Sequence, residues 1–353
     1  MQPQIIEELS AWTAQQLSLR GETFTGWQAL SGDAGFRRYF RLHALPYLAV
    51  YAPPASENSL LFNNIARFFR QQGLAVPDII STDFAQGFLL VSDLGEDLFA
   101  THLSEEWVDG LYGEAINTLL HLQQITPTPG LLAPYDAACL RRELELFPQW
   151  FIGELLQYTL NSDEQQLLTH TFSLLEQAAA QQPQVVVHRD FHSRNLIFRQ
   201  VQPAQETLQG RLLPPGLIDF QDALIGPASY DLVSLLKDCY IHWPKSQVRT
   251  WALAYYQQAQ QQGIWPRLRE GEFIQSFDLM GLQRHLKVLG IFSRLSLRDH
   301  KHQYLNDLPR VLAYTLEVAG HYPVLARFHL WFYQRLMPRI QQQAWYKPLA
   351  LAP

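Results

Sequence analysis

Cysteine is almost absent from this chain: Cys139 and Cys239 are the only two in 353 residues, far apart in sequence and without metal-ligand spacing. That usage argues against a disulfide framework or a zinc site and fits a reducing compartment. Charge is sparse as well, at 17% of residues, with a formal net charge of -6 and a pI near 6.0. No long basic cluster occurs, which argues against nucleic acid as a partner, because a phosphate-binding face needs a basic excess. No apolar run approaches the ~18 residues of a membrane span. The opening MQPQIIEELSAW has neither a basic segment nor an apolar h-region, so a cytoplasmic protein without a membrane partner is expected, and a monomer. There is no internal repeat, low-complexity tract or linker between independent domains. What remains is a chain with 47% hydrophobic residues, long enough to bury a substantial core in about two lobes.

Polar chemistry concentrates between residues 185 and 231, which read VVVHRDFHSRNLIF, a polar insertion, and GLIDFQDALIGPASYDL. The β-branched run at 185–187 predicts a short buried strand, and residues 196–198 predict another, so the polar residues 188–195 form a loop between strands. Asp190 and Asn195 stand five apart in that loop, and Asp219 leaves a third apolar strand at 216–218. Phosphoryl transfer asks for such a set: a carboxylate that accepts the acceptor hydroxyl's hydrogen bond, and hard oxygen ligands for Mg²⁺. Asp190 is the candidate base, and Asn195 and Asp219 are the candidate metal ligands. Each fragment alone has a bland reading as a turn or a cap; their order between apolar strands carries the argument. The pattern H-R-D-x-x-x-x-N followed by D-F matches the kinase signature. It departs where His192 and Gln221 replace the usual Lys and Gly, and no A-P-E follows. Asp222 is either a second metal ligand or a loop cap. Asp231, at the start of a helical pattern, reads as structural.

Upstream, apolar residues in 5–19 predict a leading helix. WQALSGDAGFRRYFRLH then reads as strand, Gly-containing turn and strand, and Gly32 and Gly35 suit a turn that lays backbone N–H groups over phosphates. Arg37, Arg38 and Arg41 follow and offer planar forks for phosphate oxygens, or merely face water. The third strand, 47–51, carries no Lys, so the cation that kinases place there must come from an Arg or a metal. Ser56 is expected to cap a helix running to about residue 72, in which Glu57 either pairs with an Arg or is a helix-dipole charge. Strands are expected at 76–80 and 87–91.

The remainder is predicted to be helical. Ser104 opens a helix, and another spans 138–146, stops near Pro148 and resumes at Trp150. Its charged face, Arg141, Arg142, Glu143 and Glu145, reads by default as solvated. Ser162 and Gln165 are spaced as a capping box. Residues 200–215 predict an exposed excursion between strands. Near the end, Gln283, Arg284, His285 and Lys287 crowd one helical turn, with Arg294 and Arg298 beyond; they either line a pocket for an anionic or polyhydroxylated acceptor or face solvent.

Taken together, GDAGFRRYFRL, YAPP, GFLLVSDLG, VVVHRDFHSRNLIF, LIDFQDALIGPASYDLVSLLKD and LQRHLKVLGIFSRL resemble the aminoglycoside phosphotransferase-like kinases over nearly the whole chain. Within them the chain is similar to the N-acetylmuramate/N-acetylglucosamine anomeric sugar kinases of bacterial cell-wall recycling. The resemblance implies an α+β, bilobal, protein-kinase-like fold: a small antiparallel-sheet lobe over residues 1–92 that binds nucleotide, and a larger, mostly helical lobe over 93–353. It implies ATP and Mg²⁺ as cofactors and a sugar as the small-molecule partner, phosphorylated at its C1 hydroxyl. It also implies that Asp190 orients that hydroxyl, that Ser92, Asp93 and Leu94 form the adenine-binding hinge, and that Asp231 braces the catalytic loop. His192, Asp222, Glu143, Arg284 and His285 are the candidate acceptor contacts. A kinase for an aminoglycoside, a choline-like alcohol or another sugar, and a non-catalytic relative, remain as alternatives.

Overall fold

The computed structural model describes residues 3–30, 35–200 and 212–348, so Gly32 and most of the 200–215 excursion lie outside the described residues. In chain order the elements that concern the site begin with α1 (Pro3–Ser18), β1 (Trp27–Ala29), β2 (Arg38–Leu42), β3 (Tyr47–Tyr51), α2 (Ser59–Gln71), β4 (Ile79–Asp83) and β5 (Phe88–Ser92). Then come α3 (Phe99–His102), α4 (Val108–Gln124), β6 (Ala133–Pro134), α5 (Ala137–Leu144), a π-helical segment (Phe147–Leu155) and α6 (Ser162–Ala180). The last part holds β7 (Gln184–Val187), β8 (Leu196–Ile197), β9 (Gly216–Leu217), β10 (Leu224–Pro227), α7 (Tyr230–Leu236), α8 (Lys245–Gln261), α9 (Glu270–Leu297) and α10 (Leu308–His321). The chain divides into two compact units of interleaved segments. The first comprises Met1–Thr118, Thr128–Leu131 and Arg194–Ala223, and the second Leu119–Pro127, Leu132–Ser193 and Leu224–Pro353.

In the first unit five strands form an antiparallel sheet in the order β1-β2-β3-β5-β4. The most apolar strand, β5, takes an interior position: four of its five residues are buried, which a strand covered on both faces requires. α1 covers one face, where Leu9 and Leu17 join Phe40, Leu42, Ala49, Phe88 and Leu90 in one core. α2 turns Phe62, Ile65, Ala66, Phe68 and Phe69 inward. Its cap is Asn58, whose side chain accepts from the Leu61 N–H, and not Ser56. Ser56 sits instead in a turn closed by the Pro53 carbonyl. β4 begins at Ile79, later than expected from residues 76–80. β8 and β9 pair antiparallel as Leu196↔Leu217 and Ile197↔Gly216.

The second unit is organised on α9, a 28-residue helix that packs against the π-helical segment, α6, α7 and α10. The box at the start of α6 is Asn161 with Glu164, one residue before the expected pair. Pro148 does not end a helix here: it occupies the first turn of the π-helical segment, where the missing N–H has no partner to lose. A small sheet, β6-β10-β7, includes the strand expected at 185–187; its partners β6 and β10 were not foreseen. At the crossing of α9 with the chain before the π-helical segment, a Cβ on Gly290 would lie 2.4 Å from the Leu146 carbonyl carbon. Backbone cannot yield as a flexible side chain does, so only glycine permits this approach. Gly290→Ala is expected to destabilise the protein by about 1–3 kcal/mol, as overpacked cores do, read as a lowered midpoint in thermal or urea unfolding.

Candidate active site

In the second unit β7 delivers the chain into a loop whose backbone is gripped by two buried carboxylates. Asp231, on the first turn of α7 and 0% exposed, accepts from the N–H groups of His188 at 2.6 Å and Arg189 at 2.9 Å. Asp238 accepts from the Ser193 hydroxyl at 2.6 Å and the Ser193 N–H at 3.3 Å. Asp190 is therefore held from both sides of its own position. Arg189 adopts φ +81°, a left-handed conformation that non-glycine residues rarely take and that surrounding contacts must enforce. Its guanidinium supplies such a contact by pairing with Glu143, which also receives the Tyr135 hydroxyl and, at 3.0 Å, Lys287 Nζ. Lys287 Nζ donates in turn to the Tyr230 hydroxyl at 3.0 Å.

Electrostatics follow from this packing. Burial pushes the Glu143 carboxyl up, but the charges of Lys287 and Arg189 and the bonds from Tyr135 and Arg189 outweigh it and hold Glu143 below its ordinary range. Burial likewise opposes ionisation of Asp190, yet the positive charges of Lys287, His192, Arg284 and His188 leave its carboxyl below the ordinary value. Asp190 is thus a carboxylate at neutral pH, suited to accept a hydrogen bond. Asp231 differs: burial pushes it up to about 7 against its two backbone bonds.

The candidate acceptor contacts fare unequally. Glu143 belongs to a buried ion-pair network rather than a solvated face, because two cations and a phenol converge on it. Arg284 is buried and donates to the Ser234 hydroxyl at 2.7 Å and to Cys239 Sγ at 3.6 Å. His285 is corrected: it is 0% exposed, stacks on Tyr314 with centroids 5.0 Å apart, and burial drives its pKa down to about 3, so it is a neutral core residue. His192 is half-buried, its ring edge-on to Tyr240 at 5.4 Å, and Asp222 is exposed in the first unit. Lys287 and Asp238 carry more of the site than the sequence suggested; the one available signal was a Lys within the apolar run LKVLG.

In the first unit the β8–β9 hairpin brings Asn195 and Asp219 to one end, where the Ile218 N–H donates to the Asn195 carbonyl at 3.2 Å. Asp219 is exposed and takes φ +65°. An amide oxygen and a carboxylate are hard donors, and they fit Mg²⁺ with phosphate oxygens and water completing its shell. β3 carries no Lys, and a buried cation stands on the approach to β2. Arg37, 8% exposed, pairs with Glu57 at 3.0 Å, donates to Gln221 Oε1 at 2.7 Å and lies 4.7 Å over the Phe62 ring. Glu57 therefore pairs with an Arg. Beside it, burial pushes the Tyr39 hydroxyl up, with Arg37, Asp219 and Glu57 all acting on it.

Other expectations are corrected. Arg38 donates to the carbonyls of Gly35 and Arg37 and so ties the turn instead of offering a free fork. Arg41 pairs with Asp93 and Glu96. The N–H groups of Ser92 and Asp93 donate to the Asp78 and Pro46 carbonyls, so those two donors are committed within the chain. Gly35 is exposed, and a Cβ there would meet only the Arg37 backbone nitrogen, at an ordinary 3.9 Å.

Removing the charge of Glu143 leaves Lys287 and Arg189 facing each other without their shared anion. Glu143→Gln is expected to cost about 3–5 kcal/mol by chemical unfolding, and Lys287→Met in the same chain to recover part of that loss.

Comparison with known proteins agrees with this geometry. A model of the phosphotransferase enzyme family matches residues 26–270. A Pseudomonas putida protein named N-acetylmuramate/N-acetylglucosamine kinase is 40% identical over 91% of this chain and 94% of its own. A Pseudomonas aeruginosa protein of the same name is 38% identical over 84% of each. Among solved structures, an ADP-bound aminoglycoside phosphotransferase superposes with a TM-score of 0.58 at 17% identity, covering 90% of this chain and 99% of the other. A choline kinase from Cryptosporidium parvum gives 0.61 at 12% identity, with 93% and 99% covered. These distant structures share the α+β, protein-kinase-like fold, with its antiparallel N-terminal sheet and mostly helical remainder. Matched over most of its length by the family model and by relatives of up to 40% identity, the chain belongs to the phosphotransferase enzyme family.

Proposed function

We propose that this protein is an ATP-dependent, Mg²⁺-requiring kinase of N-acetylmuramate and N-acetylglucosamine that phosphorylates the anomeric C1 hydroxyl to give the sugar 1-phosphate. The observation that carries the proposal is the held, ionised Asp190 in a chain 40% identical to a protein named for that activity. Asp190 accepts a hydrogen bond from the acceptor hydroxyl and aims its oxygen along the line of attack. A hemiacetal hydroxyl is more acidic than an ordinary alcohol, so a weakly basic carboxylate suffices. The cations around Asp190, namely Lys287, Arg284 and His192, suit an acceptor that carries a carboxylate, as N-acetylmuramate does. Asn195 and Asp219 would hold Mg²⁺, which supplies charge neutralisation at the phosphates. Arg37, steadied by Glu57, takes the place of the strand Lys against those oxygens. Residues 1–92 act as the nucleotide-binding part, with Leu94 at the adenine, and the helical remainder receives the sugar. Among the described residues no helix is long and apolar enough to cross a membrane; a cytoplasmic monomer is the form proposed.

An acceptor panel with NMR of the product tests substrate and position together. N-acetylmuramate or N-acetylglucosamine is expected to stimulate ADP release and lose its reducing-end reactivity as phosphate appears on C1. Unchanged reducing sugar at full turnover refutes the C1 assignment, and turnover only with aminoglycosides or choline-like alcohols replaces the substrate. Asp190→Asn should lower kcat by about 10²–10⁴ while sugar and ATP binding persist, measured by steady-state kinetics and calorimetry.

A further inference from the structure

Gln221 stands where protein kinases close D-F-G with glycine, and its side chain links two groups of opposite charge. Its Oε1 accepts from Arg37 Nη1 at 2.7 Å, and its Nε2 donates to Asp219 Oδ1 at 2.7 Å. The amide orientation is dictated by chemistry: turned over, its NH₂ would face a guanidinium and its oxygen a carboxylate, and both contacts would be repulsive. The backbone beneath is anchored. Phe220 stacks on Phe62 with centroids 5.2 Å apart and planes within 8°, meets Phe69 edge-on at 5.7 Å, and its carbonyl receives the Ala223 N–H at 3.0 Å. Arg37 is anchored independently by Glu57 and the Phe62 ring. The amide thus spans from a buried, fixed cation to an exposed carboxylate held in a left-handed backbone conformation.

We infer that Gln221 is a positioning residue for nucleotide binding: its amide fixes the Asp219 carboxylate at a set distance from the Arg37 guanidinium, so that metal and cation meet the same phosphate chain together. This rests on the proposed kinase function. Glycine has no side chain to make the span, and in its place the chain uses an amide because only an amide offers an acceptor to Arg37 and a donor to Asp219 at once. Asparagine, one methylene shorter, cannot reach both from the same backbone. Glutamate keeps the bond to Arg37 but sets a second carboxylate against Asp219.

The test compares ATP affinity by calorimetry in Mg²⁺ and in EDTA for the full-length wild type, Gln221→Ala and Gln221→Glu, alongside KM for ATP and for sugar. The wild type is expected to bind ATP more tightly with Mg²⁺ than without. In Gln221→Ala that Mg²⁺-dependent gain should fall by about tenfold, the worth of a hydrogen bond to a charged group. KM for ATP should rise in step, while KM for sugar and affinity in EDTA stay near wild type. Gln221→Glu should lose more of the gain than Gln221→Ala. A purely structural side chain would instead lower ATP and sugar affinity alike. Gln221→Ala with an undiminished Mg²⁺ gain, or Gln221→Glu matching the wild type, overturns the assignment and leaves the kinase reading intact. A wild type that binds no Mg²⁺-ATP overturns both.

Discussion

Two backbone N–H groups in the loop before Asp190 donate to one buried carboxylate, and the rest of the second unit is arranged to keep that carboxylate in place. Asp231 sits in the first turn of α7, every residue of which is buried, and α7 lies against α9. Leaving it unmade would strand a desolvated acid and two loop donors together, each costing about 1–3 kcal/mol. That cost is why the loop has one conformation, including the left-handed Arg189. Burial also raises the Asp231 pKa to about 7, so its ionised form is retained only with the help of those two donors.

Around this anchor the ionic layers alternate. Glu143 stands between Arg189 and Lys287, and Lys287 in turn is among the charges that keep Asp190 ionised. A buried pair of this kind is weak as a source of net stability, since desolvation offsets the attraction, but removing one member is costly. The network therefore contributes chiefly by specifying geometry. It connects α5 and α9 to the loop that holds Asp190.

The candidate site residues stand out in the sequence because they lie beside short apolar strands: Asp190 after β7, Asn195 before β8 and Asp219 after β9. The supporting groups were not legible, because the contacts that define them span long separations. Arg189 meets Glu143 46 residues away, and Arg37 meets Gln221 184 residues away. Local amphipathicity made Glu143 look solvated and His285 look available, when both face inward. Caps missed by a residue or two for a simpler reason. Asn58 and Ser56, or Asn161 and Ser162, are near-equal cap residues, and only the backbone path decides which side chain reaches the free N–H. The bonding of the expected hinge was hidden on another ground: a sequence does not show that Asp78 and Pro46 offer carbonyls to the Ser92 and Asp93 N–H groups.

β3 carries no Lys, and Arg37, on the approach to β2, is the cation proposed to take its place. β2 and β3 pair with Arg38 opposite Tyr51, so the residue preceding β2 lies beside the residue following β3. An Arg entering from β2 thus reaches the neighbourhood that a β3 side chain would serve. The exchange is not neutral. An ammonium is a compact charge with rotating donors, whereas a guanidinium is a plane that stacks while its edge donates in fixed directions. Arg37 uses all of this at once: its face lies over Phe62, one edge nitrogen meets Glu57 and another meets Gln221. A Lys could pair with Glu57, but it could not also stack flat and hold an amide. The aromatic face of α2, the Phe62–Phe220 stack and the Gln after D-F are therefore joined through one guanidinium in this chain.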